Sequence, residues 1–295
     1  MIVFVFIDKI KTQQKHFTII NYFCTIFCMS TTPKISVIIP AYKTAQYIPA
    51  CLDSVLSQTL DDIEIICIND GSPDNALEIF NEYAKRDSRI RVIDQKNQGI
   101  CITRNNAIAA AHGDYIFPLD SDDMIAPNCL EMLYHIITTT KYSVVCPMGI
   151  VFGGGVGPGG LFRLPKINYF NMYGGKNGVH NSSLFPKKLW KKYGGYCVDL
   201  NRLGGEDYDF WLCFLDDNQK IYRTDIPLFF YRIKPATESR NRSGTRDIGD
   251  QIKKIRLRRH PRIAFYYTLQ CIRNPFRGIR KLVRIVRKKM KNKRD

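Results

Sequence analysis

No two of the ten cysteines in this chain are spaced C-x-x-C, and no cysteine–histidine cluster has zinc-ligand spacing. That argues against the common structural zinc modules. Cys67 and Cys146 sit inside apolar runs, which fits buried, reduced thiols of a cytosolic protein better than a disulfide framework. Long apolar runs are missing too. Met1–Ile7 and Phe17–Met29 are apolar, with Lys9, Lys11 and Lys15 between them, and neither reaches the ~18–20 residues of a membrane span. A signal peptide needs a small-residue cleavage site behind a longer apolar core, and no clear one follows. Residues 1–33 are therefore set apart as an N-terminal extension, with Met29 as an alternative start.

Acidic residues are scarce in one place only. The chain holds 44 Lys and Arg against 27 Asp and Glu, a net +17. Residues 251–295 hold 17 of those bases and one acid, a net +16, so residues 1–250 carry about +1. The body is nearly neutral and the C-terminal segment is a basic device. With 295 residues, 45% of them hydrophobic, the chain has room for one large or two modest domains with a core.

The body reads as strands alternating with helices. Ile35–Ile39 is a β-branched run, the mark of a strand buried on both faces, and Pro40-Ala41-Tyr42-Lys43-Thr44 ends it. Ile48, Leu52, Val55 and Leu56 recur at helical spacing and predict a helix over 46–58. Ile63–Ile68 is the second strand; it stops at Asn69-Asp70-Gly71-Ser72-Pro73. Ser72 then Pro73 reads as an N-cap and first helical residue, opening a helix to about Arg86. A strand at 90–93, a turn at Asn97-Gln98-Gly99, a helix over 103–111 and a strand at 114–119 follow. This alternation predicts a parallel sheet whose strand C-termini share one edge, where open α/β sheets bind ligands. Pro40, Ala41, Tyr42, Asp70, Asn97 and Asp120–Asp123 all follow strand ends.

Asp120, Asp122 and Asp123 place three anions within four residues. Their repulsion is relieved by solvent in a plain acidic turn, or by a hard divalent cation such as Mg²⁺ or Mn²⁺. An Asp-x-Asp at a strand end suits a metal-bound diphosphate. Beyond it the pattern predicts a helix over 127–139 and a strand over 143–147. The glycine run 153–160 breaks all periodicity and reads as a mobile loop, a surface insertion in preference to a lid. A short basic helix at 186–192 comes next. Gly204-Gly205-Glu206-Asp207 then opens a helix carrying Phe210, Trp211, Phe214 and Leu215, and strands follow at 220–223 and 228–232.

Taken in order, Ile35–Tyr42, Asn69-Asp70-Gly71-Ser72, Asn97-Gln98-Gly99 with Arg104-Asn105, Gly113-Asp114-Tyr115-Ile116 and Asp120-Ser121-Asp122-Asp123 resemble the inverting family 2 glycosyltransferases of the GT-A fold. The resemblance covers about residues 34–233. It implies an α/β, Rossmann-like, mostly parallel sheet with helices on both faces, followed here by a basic helical C-terminal tail. The domain would run over 34–250, with a nucleotide-binding half (34–125) and an acceptor half (126–250). A nucleotide-sugar donor, expected to be a UDP-sugar, would lie at the sheet edge. By the same resemblance Pro40, Ala41, Tyr42 and Asp70 hold base and ribose, and Asn97 and Arg104 lie near the nucleotide or diphosphate. Asp120 touches ribose or the metal shell, and Asp122 ligates Mg²⁺ or Mn²⁺. Asp207 would be the general base, with Asp209 the runner-up. Each side chain alone has a plainer reading: turn packing for Tyr42, helix capping for Asp70 and Asp207, a solvated charge for Arg104.

The chain departs from the family pattern at Tyr231-Arg232-Ile233-Lys234. Many relatives carry histidine where Lys234 stands; lysine suits a diphosphate contact as a point charge and gives no support for metal ligation there. His180 fits either an acceptor sugar contact or a structural role. In the tail, Ile279, Leu282, Val283, Ile285, Val286 and Met290 make an apolar stripe among bases, a basic amphipathic helix. An anionic membrane surface bound through 251–295 is the expected partner, at about 1 kcal/mol per basic residue near the surface. Nucleic acid is the less favoured partner. The resulting expectation is a cytoplasmic enzyme, peripheral at the inner face of the cell membrane. It would transfer sugar to a glycan or lipid-linked glycan in cell-surface polysaccharide or lipopolysaccharide biosynthesis. The alternative is a non-catalytic basic adaptor on the same scaffold.

Overall fold

The computed structural model describes residues 32–154, 156–234 and 246–266. Four strands, β1 (Ile35–Ala41), β2 (Ile63–Asp70), β3 (Ile90–Gln95) and β4 (Tyr115–Pro118), form a parallel sheet in the order β3-β2-β1-β4. A two-residue strand, β8 (Phe185–Pro186), joins β4 antiparallel at its edge. The β-branched runs that predicted these strands are buried on both faces. Ile35, Val37 and Ile39 pack with Leu52 and Val55 of α1 (Ile48–Leu56), Phe80 of α2 (Ala76–Arg86) and Leu133 of α4 (Cys129–Thr139). Ile38, Ile66, Ile68 and Ile116 turn to the other face. There they meet Ile108 of α3 (Ile100–Ala110) and Phe210 and Trp211 of α7 (Glu206–Asp216). Each such side chain contributes about 1.5–3 kcal/mol when fully buried, and the period-two alternation is what puts helices on both faces.

A buried carboxylate sets where β4 begins. Glu64, in β2, accepts from Ser36 Oγ at 2.6 Å, Gly113 N–H at 3.1 Å and Arg91 Nη1 at 3.1 Å, and from the His112 N–H. Gly113 has no room for a side chain, because a Cβ there would lie 2.6 Å from Ser36 Oγ. The chain is thus pinned just before β4, and β4 delivers Asp120 two residues after its end.

A second sheet has the order β5-β9-β6-β7, from β5 (Met124–Ile125), β6 (Val144–Gly153), β7 (Val156–Phe162) and β9 (Ile221–Arg232). Here two sequence expectations are corrected. The strands expected at 220–223 and 228–232 are one strand, β9, whose pairing with β6 shifts register between Cys146 and Gly149, opposite Pro227. Proline cannot donate to a ladder, so the apolar pattern breaks while the strand continues. The glycine run is a β-hairpin, not a loop. Gly153 pairs with Val156 and Val151 with Gly160, and a Cβ on Gly160 would lie 2.8 Å from Val151 Cγ2. Glycine there admits the facing strand, while stripping the segment of the side chains that pattern reading depends on.

Two shorter helices, α5 (Tyr169–Tyr173) and α6 (Lys187–Tyr193), and the basic α8 (Arg246–Arg259) are also among the described elements. The expected boundary between residues 250 and 251 falls inside α8. Arg256 donates to Gly205 O at 2.7 Å, and Arg259 pairs with Asp209 at 3.0 Å. The basic segment therefore begins as a helix docked on α7, and its apolar stripe at 279–290 lies outside the described residues. The seven described cysteines are all unpaired. Among the described residues, no helix is long and apolar enough to cross a membrane.

Candidate active site

The C-terminal ends of β1, β2 and β4 open on a cleft of about 800 Å³, within the usual range for ligand pockets. Pro40, Ala41, Tyr42 and Asp70 line one end of it, and Asp120–Asp123 its floor. Glu206 and Asp207, at the start of α7, also line it. Most of the expected site residues therefore meet in one place, although 167 positions separate Pro40 from Asp207.

The structure gives several of them protein partners. Asp70 accepts from Gln98 N–H at 2.8 Å, Gly99 N–H at 2.9 Å and Gln95 Nε2 at 2.8 Å. It thereby ties β2 to the turn that starts α3, where Gly99 takes φ +86°. Asn97 stands outside the cleft lining; its Nδ2 donates to Asp70 O at 2.9 Å and its Oδ1 accepts from Arg202 at 3.0 Å. Its place is behind the Asp70 end of the cleft, supporting the turn. Arg104 is 3% exposed and bridges two carboxylates, Asp120 at 2.7 Å and Glu206 at 2.9 Å. Burial opposes the Arg104 charge, but Asp120 and Glu206 outweigh it, and its pKa is raised. Burial likewise pushes the Asp120 carboxyl up, Arg104 pulls it down, and the net direction is down.

The acid loop is held from β9. Arg232 donates its backbone N–H to Asp123 Oδ1 and its Nε to Asp122 O, each at 2.8 Å, with its guanidinium over the Tyr47 and Phe152 rings. Lys234 Nζ lies 2.7 Å from Asp122 Oδ2. Arg232 gave no sequence signal beyond its place beside Lys234. Asp123 is buried, with Oδ2 lacking a hydrogen-bond partner. Burial, then the charges of Asp122 and Asp120, raise its pKa well above the carboxylate range. Crowded hard oxygens with one orphaned buried atom fit a divalent cation. Arg104 takes Oδ1 of Asp120 and Lys234 takes Oδ2 of Asp122.

Across the cleft, Asp207 is half-buried in the first turn of α7. Its Oδ2 accepts from Asn177 Nδ2 at 3.2 Å. Burial and then the neighbouring Glu206 raise its pKa to about 6, the range in which a carboxylate serves as a base near neutral pH. Asp209 is fully buried and held by Arg259 and His260, both at 3.0 Å, so it is a structural anchor and not a second base. His180 lines the cleft, packed against Phe229 at 4.4 Å and Phe162 at 5.3 Å between ring centroids. Burial lowers its pKa to about 4, and its Nδ1 accepts from Ser182 N–H at 3.1 Å. It is a neutral packed ring with one edge on the cleft. Asn177 and Phe162 escaped sequence reading: one follows a glycine pair, the other ends the glycine hairpin.

A parallel sheet edge with an acidic floor, faced by a carboxylate at a helix start, is the layout of a GT-A module. Solved structures share the fold. Staphylococcus aureus TarS, residues 1–349 in complex with UDP-GlcNAc, superposes with a TM-score of 0.61 at 21% identity, covering 75% of this chain and 65% of that one. The mannosyltransferase PcManGT of Pyrobaculum calidifontis, in complex with GDP-Man and Mn²⁺, gives 0.55 at 15% identity over 70% of this chain and 59% of that one. The chain belongs to glycosyl transferase family 2, whose sequence model matches residues 36–188. Among curated relatives, chondroitin synthase of Escherichia coli is 40% identical over 193 residues, 62% of this chain and 27% of that protein. The chain spans under two-fifths of the length of the curated relatives it matches.

Proposed function

We propose that this chain transfers a sugar from a UDP-sugar to a hydroxyl of a glycan acceptor, with inversion, in polysaccharide synthesis. The observation that carries the reading is Asp207, with a pKa raised to about 6, facing the Asp120–Asp123 floor across one cleft. Pro40–Tyr42 and Asp70 would receive the nucleoside. Asp120 and Asp122 would hold Mg²⁺ or Mn²⁺, which when bound supplies positive charge to the diphosphate leaving group. Lys234 and Arg104 stand beside the same carboxylates and add fixed positive charge there. Asp207 takes the proton of the attacking acceptor hydroxyl, Asn177 holds its Oδ2, and the single displacement needs no protein nucleophile. The UDP-GlcNAc bound by TarS supports a UDP donor, the Mn²⁺ of PcManGT supports the metal, and chondroitin synthase supports a polysaccharide product. The basic segment 251–295 would hold the enzyme at the inner face of the cell membrane, near a lipid-linked acceptor.

The test is thermal shift of the full chain with UDP, GDP, CDP and ADP, each with and without Mn²⁺. UDP with Mn²⁺ at about 100 times its dissociation constant is expected to stabilise by ~2.7 kcal/mol, and UDP alone by less. No shift with any nucleotide would overturn the reading.

A pH profile gives an independent check. The base works only when deprotonated, so kcat/KM is expected to hold above neutrality and to fall tenfold per pH unit below about 6. A profile flat down to the ordinary carboxylate range would remove Asp207 from the role.

A further inference from the structure

Tyr169 and Phe170 begin α5 and are 47% and 55% exposed, and Phe265, in the helical turn 261–266, is 67% exposed. Ring contacts join the two segments. Phe170 meets Tyr266 edge-on at 5.4 Å, Tyr173 lies 6.1 Å from Tyr266, and Tyr169 stacks on Tyr173 at 5.9 Å. Single exposed apolar residues need no explanation, but a joined aromatic patch marks an interaction surface. Its surroundings are basic. Lys166 and Lys176 flank α5, Arg258 and Arg262 precede Phe265, and all four are exposed. Acids near these bases are engaged: Asp199 pairs with Arg258 at 2.6 Å, Asp216 accepts from Tyr173 OH at 2.7 Å, and Asp217 accepts from Lys192 at 2.7 Å. The 29 residues that follow, 267–295, carry eleven Lys and Arg and one Asp.

We infer that this aromatic patch seats the protein on an anionic lipid bilayer, together with the basic segment that follows it. Aromatic rings settle at the headgroup level of a bilayer, and clustered bases are drawn to anionic lipid. One weak signal gives only marginal binding; an apolar insertion plus a polybasic segment gives a stable one. The inference rests on the proposed membrane role of residues 251–295 and adds body side chains and an orientation to it. Asn177, which holds Asp207, comes four residues after the end of α5. Four residues reach at most about 14 Å. The base end of the cleft therefore lies beside the seated surface, where an acceptor anchored in lipid is within reach.

The experiment is flotation of the full chain with vesicles of phosphatidylglycerol and phosphatidylcholine, and with phosphatidylcholine alone. The parent is expected to bind the mixed vesicles and to bind phosphatidylcholine weakly. Phe170→Ser with Phe265→Ser is expected to lower partition about tenfold or more while the UDP and Mn²⁺ thermal shift persists. Phe170→Trp with Phe265→Trp should bind at least as tightly as the parent, with a blue shift of tryptophan emission on the mixed vesicles. Two results would overturn the inference: both double variants partitioning within about twofold of a folded parent, or single-stranded RNA releasing the parent from the vesicles with neither variant differing. Vesicle binding that depends on the two rings, in a chain no nucleotide shifts, would leave this surface standing and sink the transferase reading instead.

Discussion

Asp207→Asn is expected to lower kcat by about 10²–10⁴-fold, the usual contribution of a general base, with donor binding retained. The asparagine keeps the volume and can still meet Asn177, so the cleft wall does not collapse. What disappears is the proton acceptor, whose pKa of about 6 comes from burial and the adjacent Glu206 charge. Loss of a negative charge in the first turn of α7 removes about 0.3–1 kcal/mol of helix-terminus attraction, too little to unfold the domain. The two effects separate in one pair of measurements. Initial rates should collapse, while the shift in Tm with UDP and Mn²⁺ should stay within error of the parent. Asp209→Asn is the control, because Asp209 sits two residues further along α7, buried against Arg259 and His260. Its replacement should lower Tm and leave the acid limb of the pH profile near 6. A variant Asp207→Asn that turns over at the parent rate would end the base assignment.

Some of this site is legible in the sequence. The first sheet is, because Ile35–Ile39 and Ile63–Ile68 are runs that only a doubly covered strand can bury, and the polar residues after each run then fall on one edge. The acidic floor is legible for the same reason, since Asp120 follows the buried strand Tyr115–Pro118. Interactions between distant segments were not. Arg104 reads on a helix as a solvated charge, and only the fold reveals that it closes a bridge between Asp120 and Glu206, 102 positions away. Asn97 follows a strand end like its neighbours, yet it points at Asp70 O and Arg202 and not into the cleft. Sequence prefers Asp207 to Asp209 by resemblance alone, because both sit in the first turn of one helix; in the fold Asp209 is held by Arg259 and His260 while Asp207 lines the cleft. Glycines hide a hairpin at 153–160 because a strand without side chains has no pattern. The basic segment reads as a separate membrane-facing tail from residue 251 onward, and no sequence signal shows that Arg256 and Arg259 are engaged on α7.

Arg104→Met should be the most destabilising single change in the cleft. Methionine fills much of the space but removes all five donors of the guanidinium. Glu206 and Asp120 are then left facing each other without a cation. Glu206 is buried and already has one unpartnered oxygen, Oε2. Breaking a buried pair by removing one partner costs about 3–5 kcal/mol. Solvent moderates this, because the Asp120 side chain is 33% exposed and exposed charges are screened. At about 2–4 °C per kcal/mol for a domain of this size, Tm should fall by roughly 6–20 °C. Two further measurements separate charge from packing. Adding Glu206→Gln to Arg104→Met should restore part of the loss, since neighbours in one network do not add. Mn²⁺ should raise the Tm of Arg104→Met by more than it raises the parent's, because a cation at Asp120 relieves the charge that arginine had neutralised. If Arg104→Met melts within about 2 °C of the parent, the bridge contributes little, and the geometry linking the acidic floor to the base helix is held by the apolar packing of α3 against α7 alone.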